Sequence, residues 1–233
     1  MIGTFINIVT ILIGSTLGLL FGARLPDHLK NTITAGLGLF TLAIGISMFL
    51  KSEETLIVLG GLLIGAILGE WWKIEEGLEN LGSWIEGKVG KKSNSTESER
   101  FIRGFMTASL LFCIGPLTIL GSIQDGLSGN YELLAVKSVL DGFASLAFAS
   151  TLGIGVIFSA FIVLIYQGGI SLLAAQLDGL ITEPMMTEMT AVGGVILVGL
   201  AISSLLEIKK IRVGSFLPAL ATAPLIVWIL SFF

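Results

Sequence analysis

The residues with the most chemistry to offer lie between Cys113 and Ser145. Lys137-Ser138-Val139-Leu140-Asp141-Gly142 sets an amine and a carboxylate four positions apart, which brings both to one face of a helix. The surrounding residues are apolar enough to lie in lipid, so Asp141 is expected near a bilayer midplane. An unpaired charge there costs at least about 2.5–3.5 kcal/mol on insertion scales; such a residue turns inward, pairs, and commonly marks an ion or proton path. A static ion pair joining two helices is the competing reading. Upstream, Cys113-Ile114-Gly115-Pro116-Leu117-Thr118 puts a Gly-Pro break near the middle of an apolar run. Pro116 removes a backbone donor and frees the carbonyl of Phe112, and irregular backbone at membrane depth is tolerated only where it is buried in protein or lines a wet cavity. The run ends in Gly121-Ser122-Ile123-Gln124-Asp125-Gly126, an amide and a carboxylate at its outer end. Asp141, Lys137, Gln124, Asp125, Ser138, Pro116 and Thr118 therefore define an expected substrate or ion path. In it Asp141 binds a cation or proton, and Lys137 is an internal counter-charge released on binding.

Other polar residues rank below these. Asn7, Ser15 and Thr16 are expected to face the interior from the first apolar run, and Tyr166 with Gln167 from the sixth. Glu70 and Glu207 fall at the ends of apolar runs, solvated or paired with Lys73 and Lys209. His28 reads as a surface residue beside Pro26. Enzyme chemistry finds little support. HExxH and CxxC are absent, and the one histidine leaves no membrane-depth partner for a Ser-His nucleophile. Asp141-Gly142-Phe143-Ala144 opens like the lipid phosphoalcohol transferase motif, but the required Arg is missing, Leu146 following Ser145, as are the later paired aspartates. With one cysteine, Cys113, neither an intramolecular disulfide nor a thiolate metal site can form. No cofactor or metal is expected, and no basic patch for nucleic acid is present.

The elements that must position these residues follow from composition. The 233 residues are 54% hydrophobic and only 13% charged, against about 25% charged in a soluble domain, and mean hydropathy is +0.95. The apolar residues come in runs near the roughly 20 needed to cross a hydrocarbon core. Barrel strands alternate apolar and polar residues; Leu56 to Gly69 and Gly153 to Leu164 do not. The fold class is therefore all-α: a polytopic transmembrane bundle of about eight helices in the lipid bilayer. The spans are placed at 2–22, 31–50, 55–72, 102–123, 133–151, 153–176, 190–208 and 214–232. This is a single membrane domain: three helices over 1–72, a cytoplasmic helix and linker over 73–101, and five helices over 102–233. Seven spans, with the fifth and sixth fused across Ser150-Thr151-Leu152-Gly153, is the rival count. No Lys or Arg precedes Arg24, so the first run reads as a retained helix rather than a cleaved signal.

Eleven of the 13 Lys and Arg residues fall in connections on one side of an eight-span arrangement: Arg24 and Lys30, then Lys73 to Arg103, then Lys209 to Arg212. The other side keeps Lys51 with Glu53, Glu54, Asp125, Glu132, Asp178, Glu183 and Glu188. Cytoplasmic loops collect Lys and Arg, so both termini are expected outside the cytoplasm of a bacterial-type inner membrane. Seven spans would split Lys209–Arg212 from Lys73–Arg103. In the longest connection Ile74, Leu78, Leu81, Ile85 and Val89 recur every three or four residues among Glu75, Glu76, Glu79 and Glu86. That amphipathic stripe, with Trp71, Trp72 and Trp84, is expected to lie on the membrane or against a partner, followed by a flexible Lys91–Glu99 link.

Gly14, Gly18 and Gly22 in the first span and Gly61, Gly65 and Gly69 in the third form two GxxxGxxxG runs, suited to close helix packing in a glycine zipper and to a homo-oligomer. Leu12-Ile13-Gly14-x-x-Leu17-Gly18 matches Leu63-Ile64-Gly65-x-x-Leu68-Gly69, with fainter echoes at Leu197-Val198-Gly199 and between Gly45-Ile46-Ser47 and Gly169-Ile170-Ser171. Internal repeats, common in transporters, and mere likeness between glycine-rich helices both account for this.

Phe112-Cys113-Ile114-Gly115-Pro116 through Asp125-Gly126, then Lys137-Ser138-x-x-Asp141-Gly142, with Tyr166-Gln167-Gly168 and Gly60-Gly61 to Gly69-Glu70, resembles the YdfK/YqgA-like family of uncharacterised bacterial inner-membrane proteins (domain of unknown function 554) over nearly the whole chain. The resemblance implies an inner-membrane protein and carries over no catalytic or binding residue. The expected function is a small transporter or channel for a small cation or cationic metabolite, with a polar midplane site around Asp141. The alternative is a non-transporting assembly or regulatory subunit acting through residues 74–89.

Overall fold

The computed structural model describes residues 1–89, 95–177 and 180–232, and all regular structure among them is helical. In chain order the helices are α1 (Ile2–Gly22), α2 (Asp27–Phe49), α3 (Thr55–Trp71), α4 (Ile74–Val89), α5 (Ser95–Cys113), α6 (Pro116–Ser128) and α7 (Glu132–Leu152). A 3₁₀ turn (Ile154–Phe158) leads into α8 (Ser159–Leu172), and α9 (Ala174–Leu177) follows. Then α10 (Glu183–Leu200) continues as a π-helical segment (Ala201–Leu205), and a 3₁₀ turn (Val213–Phe216) opens α11 (Ala219–Leu230). Six of these stretches are long and apolar enough to cross a membrane, and eight are if each bent pair counts as one span. The bent pairs are α3 with α4, at 53°, and α5 with α6, at 63°.

Most boundaries fall near those expected, and the differences have local causes. Helix α10 begins at Glu183 rather than at 190, because extended Thr182, Glu183 in the first turn and Pro184 are all start signals. The span expected over 102–123 is instead two helices. Gly115, at φ 147°, takes a conformation that favours glycine, and Pro116 restarts the chain as the first residue of α6. Of the link expected over Lys91–Glu99, residues 91–94 lie outside the described residues and 95–99 already belong to α5. Asp178 also lies outside them.

The chain divides into two compact units, Met1–Thr34 with Glu79–Asp178, and Ala35–Leu78 with Gly179–Phe233. In the first, α1 and α7 run parallel in close contact. A Cβ on Gly14 would collide with the Gly142 carbonyl and Ser145 Oγ, one on Gly18 with the Leu146 carbonyl, and one on Gly22 would lie 2.5 Å from the Ser150 carbonyl. Ile11, Phe105, Phe112, Phe148 and Leu152 are fully buried in this unit. Leu81 and Ile85 of α4 pack with Phe101, Phe105, Ile102 and Met106 of α5. Part of the apolar stripe expected to lie on lipid or a partner, Leu81 and Ile85, is thus covered here by α5, which offers apolar area one connection away; Val89 and Trp84 stay exposed.

In the second unit α3 and α11 run antiparallel. A Cβ on Gly61 would lie 2.9 Å from that of Ala223 and one on Gly65 2.5 Å from the Ala219 nitrogen, while one on Gly69 would strike the Ser215 carbonyl. Glu70 accepts from Ser215 Oγ (2.7 Å) and Arg212 (2.6 Å), rather than pairing with Lys73. Buried Glu75 accepts the Gly214 amide (2.6 Å).

Candidate functional site

Helix α7 presents Lys137 and Asp141 one turn apart, and their side chains form an ion pair through Asp141 Oδ2. Both residues are buried, with 7% and 11% of their side chains accessible. The same carboxylate oxygen accepts from Asn7 Nδ2 of α1 at 2.9 Å, and Asn7 Nδ2 also donates to Gln167 Oε1 of α8 at 2.9 Å. Close approach of α1 and α7 at their glycines is what lets a side chain as short as Asn7 reach Asp141.

The chemistry of these groups fixes both amide orientations. A carboxylate only accepts, so the Asn7 NH₂ must face Asp141; its second hydrogen needs an acceptor, so the Gln167 carbonyl must face Asn7. That leaves Asn7 Oδ1 and Gln167 Nε2 buried without a protein partner. Thr4 Oγ1, one turn from Asn7, and Ser171 Oγ, one turn from Gln167, are in the same condition. An unsatisfied buried polar group costs about 1–3 kcal/mol, and the unpartnered atoms here include both an acceptor and a donor.

The other expected site residues are distributed differently. Asp125 is buried, but it accepts from the Gly3 amide (3.0 Å) and the Met1 amine (3.0 Å) at the start of α1. Gln124 is exposed on α6, away from the buried Asp125 beside it. Ser138 Oγ donates to the Leu134 carbonyl (2.6 Å). Thr118 Oγ1 donates to the Phe112 carbonyl (3.3 Å), so it serves the very acceptor that Pro116 orphans. Ser15 is buried; Thr16 faces outward and bonds the Leu12 carbonyl; Tyr166 is half-buried; His28 is exposed.

Glu188 was not singled out by sequence reasoning, which left it in an acidic outer loop. It is buried on α10 and accepts from Ser52 Oγ (2.7 Å), the Glu53 amide (2.9 Å) and the Glu54 amide (3.0 Å), holding the start of α3. The start signals at Thr182-Glu183-Pro184 would have placed it on a helix. Among the described residues no group of three His, Cys, Asp or Glu side chains could hold a metal ion.

Lipid-length apolar helices around an interior of paired charges and amides define a polytopic helical membrane protein. The chain belongs to the family described as protein of unknown function (DUF554), whose model matches residues 2–228. It is 32% identical to the uncharacterized membrane protein YdfK of Bacillus subtilis, over 100% of this chain and 98% of that one. It is also 32% identical to the uncharacterized protein YqgA of Escherichia coli, over 95% and 94% of the two chains. No solved structure matches.

Proposed function

We propose that this chain is a small transporter or channel of the bacterial inner membrane, and that Asp141 receives the cationic group of its substrate. The observation that carries the reading is the buried cluster of Lys137, Asp141, Asn7 and Gln167, drawn from α7, α1 and α8 and edged by polar atoms without partners. A purely structural ion pair needs no orphaned amides around it. Binding a cation at Asp141 displaces Lys137, which makes the lysine an internal competitor. No activated nucleophile stands in the cluster, so the reading is of transport rather than catalysis. The stripe through which a docking subunit would act is partly covered by α5. The test is flux into liposomes holding the purified chain: Asp141→Asn is expected to abolish uptake of any ammonium-bearing solute that the wild type carries, with any coupled proton movement, and unchanged flux removes the mechanism.

The reading includes eight crossings. Helices α1 and α7 run parallel, so an odd number of crossings separates them; α3 and α11 run antiparallel, so an even number does. Counting α2, α3 and the bent α5–α6 pair between the first two, and α5–α6, α7, α8 and α10 between the others, satisfies both. Dropping either bent pair alone makes the first count even. The glycine runs act as zipper faces within the chain, covered by α7 and α11, so a homo-oligomer would use other surfaces. An internal repeat relating α1 to α3 gains one further support. When Gly14 is aligned with Gly65, Gly3 falls on Glu54, and each donates its amide to a buried carboxylate, Asp125 or Glu188.

A further inference from the structure

Three features of the Asp141 cluster bear on which ligand it takes. Its unpartnered atoms are of opposite kinds, an acceptor on Asn7 and a donor on Gln167, and both orientations are dictated by the carboxylate. Its charges are also of opposite kinds and sum to zero across Lys137 and Asp141. Asn7 Nδ2 touches both Asp141 and Gln167 at 2.9 Å, so one small molecule could meet all four groups together.

Charge balance then separates the candidates. A lone cation on Asp141 would leave Lys137 as an uncompensated charge inside the membrane, unless the lysine also lost its proton. A lone anion on Lys137 would strand Asp141 in the same way. A bare metal ion could take oxygens from Asp141 and Asn7, but it would leave the Lys137 ammonium uncompensated and the Gln167 NH₂ without an acceptor. A molecule that carries both charges replaces each half of the internal pair and leaves the site neutral.

We propose that the substrate is a small zwitterion of the α-amino-acid class, its ammonium held by Asp141 and Asn7 Oδ1 and its carboxylate by Lys137 and Gln167 Nε2. This rests on the transport reading, in which Asp141 takes the cationic group. It adds the second charge and assigns Asn7 and Gln167 as binding residues. No bond is made or broken; the Lys137–Asp141 contact opens as the ligand enters and closes when it leaves.

The experiment uses the full purified chain, by thermal shift in detergent and by uptake into proteoliposomes. The probes are the standard α-amino acids, the amines that lack their carboxylate, and the acids that lack their ammonium. At least one amino acid is expected to raise the melting temperature and be taken up without net charge movement, while its amine and its acid do neither. Gln167→Glu keeps the oxygen that Asn7 needs but replaces the donor with a second acceptor; it is expected to weaken amino-acid binding on the order of tenfold or more. If that variant does not fold, the uncharged and nearly isosteric Gln167→Met carries the same expectation. Binding and uptake of amines alone, lost in Asp141→Asn, would overturn the zwitterion and leave the transport reading standing. Uptake indifferent to Asp141→Asn would overturn the role of Asp141, and with it both the zwitterion assignment and the mechanism it rests on. Failure of every amino acid to bind, or binding unchanged in the Gln167 variants, overturns this assignment.

Discussion

At the residue scale, the Lys137–Asp141 pair is held by partners that each leave a charge behind if removed. Lys137→Met deprives Asp141 of its counter-ion and leaves only the Asn7 amide; breaking a buried pair from one side costs about 3–5 kcal/mol. The double variant Lys137→Met/Asp141→Leu removes both charges at similar volume, and such replacements are often neutral. Unfolding titrated with denaturing detergent is therefore expected to show the single variant far less stable than wild type and the double largely restored, with transport absent from both. A double variant as unstable as the single would mean the two heads serve other contacts more than each other. Asn7→Leu, which strips one donor from the carboxylate and leaves Gln167 Oε1 bare, is expected to cost about 1–3 kcal/mol in the same titration. The ion pair was legible in the sequence because spacing by four and the cost of midplane charge are local properties. Asn7 and Gln167 were legible only as polar residues in apolar runs. Asn7 reaches Asp141 across 134 positions of chain and Gln167 across 160, and nothing in the spacing of α1 or α8 encodes either bond.

At the element scale, the determinants are small groups where helices touch. Gly65 leaves room for the Ala219 backbone, and its Cβ would come within 2.5 Å of a main-chain nitrogen that cannot step aside. Gly65→Leu is expected to prevent the α3–α11 contact and abolish recovery of folded protein by size-exclusion chromatography, whereas Gly77→Leu, with open space at the same test, is expected to be tolerated. Glu188 acts at the start of α3: Glu188→Leu removes the acceptor on which the Glu53 and Glu54 amides converge and is expected to cost about 1–3 kcal/mol by the same unfolding titration. The helix stretches were readable from hydropathy, since lipid demands long apolar runs. Their ends were less so, because start signals compete with polar composition: Glu183 to Glu188 read as loop by charge and as helix by Pro184. The Gly115–Pro116 break was visible as residue types. That Thr118 would answer for the orphaned Phe112 carbonyl depends on how the chain restarts, which residue types alone do not fix.

At the scale of the whole molecule, the remaining question is which side of the membrane each connection faces. Lys and Arg concentrate in the connections that follow α1, α3 and the π-helical extension of α10, and cytoplasmic loops collect such charge. In the proposed orientation the α6–α7 connection at Asn130 is extracytoplasmic and α4 is cytoplasmic. Both positions belong to the first unit, so one pair of variants tests the sign directly. Cys113 is buried, and replacing it with alanine gives a background without other thiols. On that background Asn130→Cys and Lys88→Cys each place one thiol at an exposed position. A membrane-impermeant maleimide added to intact spheroplasts is expected to label Asn130→Cys at once and Lys88→Cys only after the membrane is opened. The reverse pattern would invert the orientation and turn the acidic outer connections inward. Labelling of both from outside would mean that the chain between α4 and α7 does not cross, which would undo the parity argument along with the span count.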